Sequence, residues 1–211
     1  MFGIIISMTV FALIGAISPG PVNIISTSSG ANFGFKRTLP HILGATIAYT
    51  LVVFLVGIGL NAVLKSYPQI TISLQYIGGA FLLYMSYKIA TNKPTSHGSS
   101  HSEKSKQNSD LLSTPPLFIQ GFLAQSLNPK AWLVSMSGVS LFVSANSPTS
   151  FYLFLFCLIS FFCCLIGVST WAIIGQLISQ FLSTKKRQRA FNIMMGLLLS
   201  STVVFIIMEK L

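Results

Sequence analysis

The first 35 residues contain no charged side chain and are mostly apolar, yet residues 15–26 read GAISPGPVNIIS. An apolar run of this length favours a bilayer-crossing helix, which takes roughly 20 residues for about 30 Å of hydrocarbon. Pro19 and Pro21, on either side of Gly20, oppose it. Proline has no N–H to donate, so in a regular helix these two would leave the carbonyls of Gly15 and Ile17 unpaired. An unpaired carbonyl in lipid costs several kcal/mol, and such backbone survives only where protein or a polar cavity satisfies it.

The rest of the chain places this break in a membrane. Only 8% of the 211 residues are charged and 52% are hydrophobic, against about 25% charged in a soluble domain. Six segments are long and apolar enough to span, at about 3–27, 40–64, 70–90, 117–143, 151–174 and 191–208, and SSGANFGFKRT after the first reads as a polar connection. With no barrel-type alternation, their backbone must be satisfied as helices. The expectation is an all-α polytopic membrane protein forming one membrane domain over 1–211. Residues 1–90 would form a first three-helix repeat and 117–211 a second. Residues 91–116 are polar and Ser-rich, which reads as a flexible linker.

The net charge of +10 does not point to nucleic acid, because most of the basic residues sit in short segments between apolar runs. Lys36 and Arg37, Lys88 through Lys106, and Lys185 through Arg189 fall on one side; Lys65 and Lys210 fall on the other. With six spans the positive-inside rule puts both termini outside and the linker in the cytoplasm. With five, one terminus changes side. The N-terminal segment lacks the basic start and small-residue cleavage pattern of a signal peptide, and reads as a retained span.

The fourth span repeats the feature of the first, with Asn128, Pro129 and Lys130 near its centre in SLNPKAW. Each half therefore has three spans and begins with a proline-broken one. Three being odd, the halves would enter the membrane in opposite senses, the pattern of an inverted repeat with a midplane site. Pro129 would free the carbonyl of Gln125. Past each break a half-helix starts with bare N–H groups and a positive dipole end. Free carbonyls suit an ammonium and bare N–H groups a carboxylate; an amino acid zwitterion has both. The candidate binding residues are Ser18, Pro19, Gly20, Pro21 and Asn23 in the first break and Asn128, Pro129 and Lys130 in the second.

Lys130 is a functional candidate because a cation inside a span is costly; a lysine snorkelling or paired to carbonyls at a half-helix end is the other reading. His41 is either an interfacial anchor or, with Lys130, a proton-coupling candidate. The acids are Glu103, Asp110 and Glu209, none inside a predicted span. A carboxylate relay and an oxygen-ligated divalent cation site are therefore not expected. His97 and His101 have helical metal-ligand spacing but lie in the linker, and no metal or other cofactor is expected. Cys157, Cys163 and Cys164 share one apolar span without a CxxC pattern and read as packing residues. No hydrolytic triad, HExxH or paired-carboxylate pattern is present, so no catalytic residue is assigned and no enzyme is expected. Gly57 and Gly59 could pack helices within the chain or between chains, leaving a homodimer open.

The stretch SPGPVNIISTSSGANFGFKRTLPHILGATIAY, followed by GFLAQSLNPKAWL, resembles the LysE/RhtB family of bacterial amino acid exporters. YIGGAFLLYMSYKIATNK and FNIMMGLLLSS resemble that family's third and sixth spans. The resemblance implies a multi-pass secondary exporter of the bacterial plasma membrane, driven by the proton gradient or membrane potential. It moves amino acids or related metabolites outward. SSGANFGFKRT and YKIATNK look closest to the cysteine/O-acetylserine branch, with homoserine, threonine and leucine exporters as neighbours. The missing intramembrane acids argue against basic substrates. A metal or inorganic-ion exporter of the same superfamily is the alternative.

Overall fold

The computed structural model describes residues 2–59, 66, 68–92 and 115–208. Eight helices make up its regular structure among these residues: α1 (Phe2–Ile17), α2 (Pro21–Phe33), α3 (Phe35–Gly57), α4 (Pro68–Ala90), α5 (Phe118–Ser126), α6 (Pro129–Gly138), α7 (Thr149–Ser179) and α8 (Lys185–Met208). A π-turn over Val139–Val143 continues α6. The linker assigned to 91–116 lies, over 93–114, outside the described residues, as do His97 and His101.

Both expected breaks are present. α1 and α2 meet at 61°; α5 ends at Ser126 and α6 restarts at Pro129. In each case proline sits at the first helical position, where its missing N–H costs nothing and its fixed φ suits the helix. The prolines thus start half-helices more than they interrupt whole ones. α3 and α7 are each long and apolar enough to cross a membrane, and the bent α1–α2 pair adds a third if it forms one span.

Besides α7 running on to Ser179, three boundaries differ from the hydropathy reading. α3 starts at Phe35, with Pro40 inside it, and α8 starts at Lys185 and takes in the basic cluster. The third difference matters most. The stretch from Ser28 to Phe33, read as a polar connection, is the second half of α2. Eleven of the thirteen α2 residues are buried, including Asn23, Ser26, Thr27, Ser28, Ser29 and Asn32. Hydropathy cannot distinguish a polar helix facing water from one enclosed by other helices.

The two halves interlock. α1 and α2 pack on α7, whereas α5 and α6 pack on α3; α3 also packs on α7, and α4 on α8. Each broken segment therefore leans on the long helix of the other half. Phe156, Met8, Ile42, Val53 and Leu199 fill the interior. Phe154, Phe162, Leu133 and Leu197 point outward, as lipid-facing residues do. Gly57 packs within the chain, since a Cβ there would strike Leu153.

Candidate functional site

The break at residues 18–20 has its polar groups matched almost one by one. Ser18 Oγ donates to the Gly15 carbonyl at 3.1 Å. Asn23 Nδ2 donates to Ala16 and Ser18 carbonyls, both at 2.9 Å. Trp171 Nε1, from α7, donates to the Ile17 carbonyl at 2.8 Å. In the second break the Gln125 carbonyl accepts from the Asn128 amide at 3.2 Å. The expectation that Gly15, Ile17 and Gln125 present free carbonyls is therefore corrected. Orphaned carbonyls in a membrane are too costly to leave, and nearby hydroxyl, amide and indole donors take them. Replacing Trp171 with Phe keeps the ring and removes the donor. We expect the purified Trp171→Phe protein to lose about 1–3 kcal/mol, read as a lower unfolding temperature; an unchanged midpoint would show that the indole bond contributes nothing.

What the breaks do offer is a contact between the halves. Lys130 Nζ, in the first turn of α6, donates to the Ser18 carbonyl at 2.6 Å and lies 3.4 Å from the Pro19 carbonyl. These carbonyls close α1, where the helix dipole is negative, so the ammonium is held by charge as well as by hydrogen bonds. Asn128 caps α6, its Oδ1 accepting from the Lys130 amide at 3.2 Å and its Nδ2 donating to Gln125 Oε1 at 3.2 Å. Trp132 Nε1 closes the end of α5 on the Ser126 carbonyl at 2.7 Å. Gly20 lacks a side chain to cap α2, and a Cβ there would come within 3.3 Å of Lys130 Cδ. The glycine keeps the lysine stem close to the backbone.

A cleft of about 390 Å³, counting its open mouth, lies between the breaks. Gly20, Asn23, Asn128 and Lys130 line it, so four of the eight candidate binding residues meet at one surface. Ser18 and Pro19 join them through their carbonyls on Lys130. Pro21 and Pro129 act as helix starters. Tyr49, Gln125 and Cys164 also line the cleft; neither Tyr49 nor Cys164 was marked by the sequence, because each is one apolar-looking residue in an apolar helix. His41 does not line it. It is fully buried in α3, and although the Val22 backbone lies beside the ring, neither imidazole nitrogen reaches hydrogen-bonding geometry with a partner. Among the described residues no three metal-type side chains cluster.

Residues 13–210 match the LysE type translocator family. The chain belongs to that family. LysE type translocators are transporters, not enzymes, and this chain is a membrane protein of that class. It is 26% identical to the cysteine/O-acetylserine efflux protein of Klebsiella pneumoniae subsp. pneumoniae over 203 residues, 94% of each chain. The proteins of that name from Escherichia coli O1:K1 and strain K12 are 28% and 27% identical, each over 90% of both chains. No solved structure matches this LysE type translocator. A second polar cluster, which the sequence reading missed, sits farther along its α2. Asn32 Nδ2 donates to Asn192 Oδ1 and the Ser28 carbonyl, both at 2.8 Å. Gln188 Nε2 reaches Asn32 Oδ1 at 3.2 Å. The signal for it was the run of Ser, Thr and Asn among small residues, STSSGAN at 26–32.

Proposed function

We propose that the protein is a secondary exporter of neutral amino acids, of the cysteine or O-acetylserine kind, in the bacterial plasma membrane. Six spans in two inverted three-helix repeats are part of that reading, supported by the paired breaks and the exchange of packing partners between halves. The single observation that carries the site is the Lys130 ammonium on the Ser18 and Pro19 carbonyls. An ammonium is what an amino acid also presents. The lysine therefore marks a position that accepts the substrate's amino group, and the two compete for it.

The physical sequence follows from the charges. A zwitterion entering the cleft places its ammonium on the Ser18 and Pro19 carbonyls. Its carboxylate takes the displaced Lys130 ammonium and the uncapped start of α2 at Val22 and Asn23, where the dipole is positive. Breaking the Lys130 contact releases the link between the halves, so binding favours a different arrangement of the two by the difference in contacts. His41, buried beside Val22 without a partner, is the proposed proton-coupling group alongside Lys130. The cleft carries an ammonium and, among its described lining residues, no carboxylate, which favours a zwitterion over a metal cation.

Everted membrane vesicles test this directly. With an imposed proton gradient, uptake of cysteine, O-acetylserine, homoserine, threonine or leucine should exceed that of vesicles lacking the protein, and an ionophore should abolish the excess. No excess uptake of any of the five would end the exporter reading.

A further inference from the structure

A second cleft of about 340 Å³ opens on the other stretch of α2. Ser28, Ser29, Lys88 and Asn92 are its polar lining. Asn92 follows the end of α4 and is 8% exposed. Its backbone carbonyl accepts from Asn192 Nδ2 at 3.2 Å, which ties it to the Asn32 cluster. Its side-chain oxygen, by contrast, is buried with no hydrogen-bond partner. A buried acceptor left unmade is costly, and its place on a cleft wall points to a donor that comes from outside the fold. Lys88, half-buried in the last turn of α4, lines the same cleft. It is the one charged side chain among the described lining residues.

We propose that this cleft is a loading site for the amino acid zwitterion, with the Lys88 ammonium taking the carboxylate and Asn92 Oδ1 taking the α-ammonium. The inference rests on the exporter reading and extends it. The negative end of α4 adds attraction for the ammonium at Asn92. Both clefts share α2. Asn23 lines the first and Ser28 the second, five residues or about 7.5 Å apart along the helix. The two clefts therefore open on neighbouring turns of one helix, on different faces of it. The basic loops that place the Lys88 end in the cytoplasm put the loading site on the side from which an exporter collects its substrate.

The kinetic signature separates the two sites. In everted vesicles, with whichever of the five amino acids is taken up fastest, Lys88→Gln and Asn92→Ala should each raise KM about tenfold, the loss expected for one charge-assisted hydrogen bond. Maximal rate should move much less. Lys130→Met should instead lower the maximal rate. Wild-type KM in both Lys88→Gln and Asn92→Ala overturns the loading site while leaving the exporter standing; no uptake by the wild-type protein overturns the exporter first. If Asn92→Ala fails to reach the membrane, Lys88→Gln, at a partly exposed helix end, decides alone. A zwitterionic lipid headgroup offers the same chemistry. Reconstitution with phosphatidylethanolamine replaced by phosphatidylglycerol distinguishes it: KM shifts that persist support the amino acid, and shifts that vanish with the lipid overturn it.

Discussion

Lys130→Met is expected to lower the export rate at least tenfold while the protein still inserts and purifies. Methionine preserves most of the stem and removes only the ammonium. Lost with it are the 2.6 Å bond to the Ser18 carbonyl and the longer contact to Pro19. The resting contact has to break during transport, so the rate is set by the ammonium that the substrate carboxylate would take: hydrogen bonds to charged groups contribute about 1.5–3 kcal/mol, and each 1.4 kcal/mol is about tenfold. The fold should survive because the Ser18 carbonyl keeps Asn23 as a donor and α6 keeps its Asn128 cap. Lys130→Arg retains the charge but presents a wider planar fork beside Gly20, where even one carbon would lie 3.3 Å from the lysine stem. It should rescue only part of the rate. Wild-type uptake by Lys130→Met in everted vesicles would remove the ammonium from the transport cycle and leave Lys130 as a structural clamp.

The same contact shows what a single sequence can and cannot convey. The breaks were legible because proline acts locally: NPK at 128–130 dictates a helix end and a restart, and both occur within a residue or two of where the pattern places them. The lone cation inside an apolar span was legible for a similar reason. The matching breaks placed both segments at one site, and a carbonyl-paired lysine was one reading, but the particular partner, Ser18 at 112 residues' distance, was not legible. The assignment of free carbonyls failed for a related cause. Proline removes a donor, and counting stops there, but Trp171 arrives from a helix 154 residues on and supplies another. Asn23 was recognised as a polar neighbour of the break, yet its role is to bridge Ala16 and Ser18 carbonyls across the bend. The reading of SSGANF as a connection failed because its hydroxyl and amide groups meet protein partners, Ser29 with Thr38 at 2.7 Å and Asn32 with Asn192 at 2.8 Å. Polarity was visible; enclosure is a tertiary property.

Enclosure of α2 has a mechanical requirement, and the second large effect is expected there. Gly30 and Gly175 make the α2–α7 crossing: a Cβ on Gly30 would overlap the Ala172 carbonyl oxygen, and one on Gly175 the Thr27 carbonyl oxygen. The α3–α5 crossing is built the same way, Gly44 against the Phe118 carbonyl and Gly121 against that of His41. In each pair backbone meets backbone, the close approach that small residues permit in membranes, and no flexible side chain can move aside. Gly175→Ala or Gly121→Ala must push two helices apart. The penalty should reach on the order of 3 kcal/mol, the upper end for an overpacked core, against a total stability of about 5–15 kcal/mol. We expect little monodisperse protein from either variant on size-exclusion chromatography and a clearly lowered unfolding temperature in what remains. Gly3→Ala is the control, since a Cβ there meets nothing within 4 Å. Because Thr27 and His41 supply two of the struck carbonyls, these crossings also fix the polar face of α2 and the buried imidazole against their neighbours. Gly175→Ala and Gly121→Ala proteins as stable as Gly3→Ala would mean that the helices do not approach this closely and that the interlocked packing of the halves is wrong.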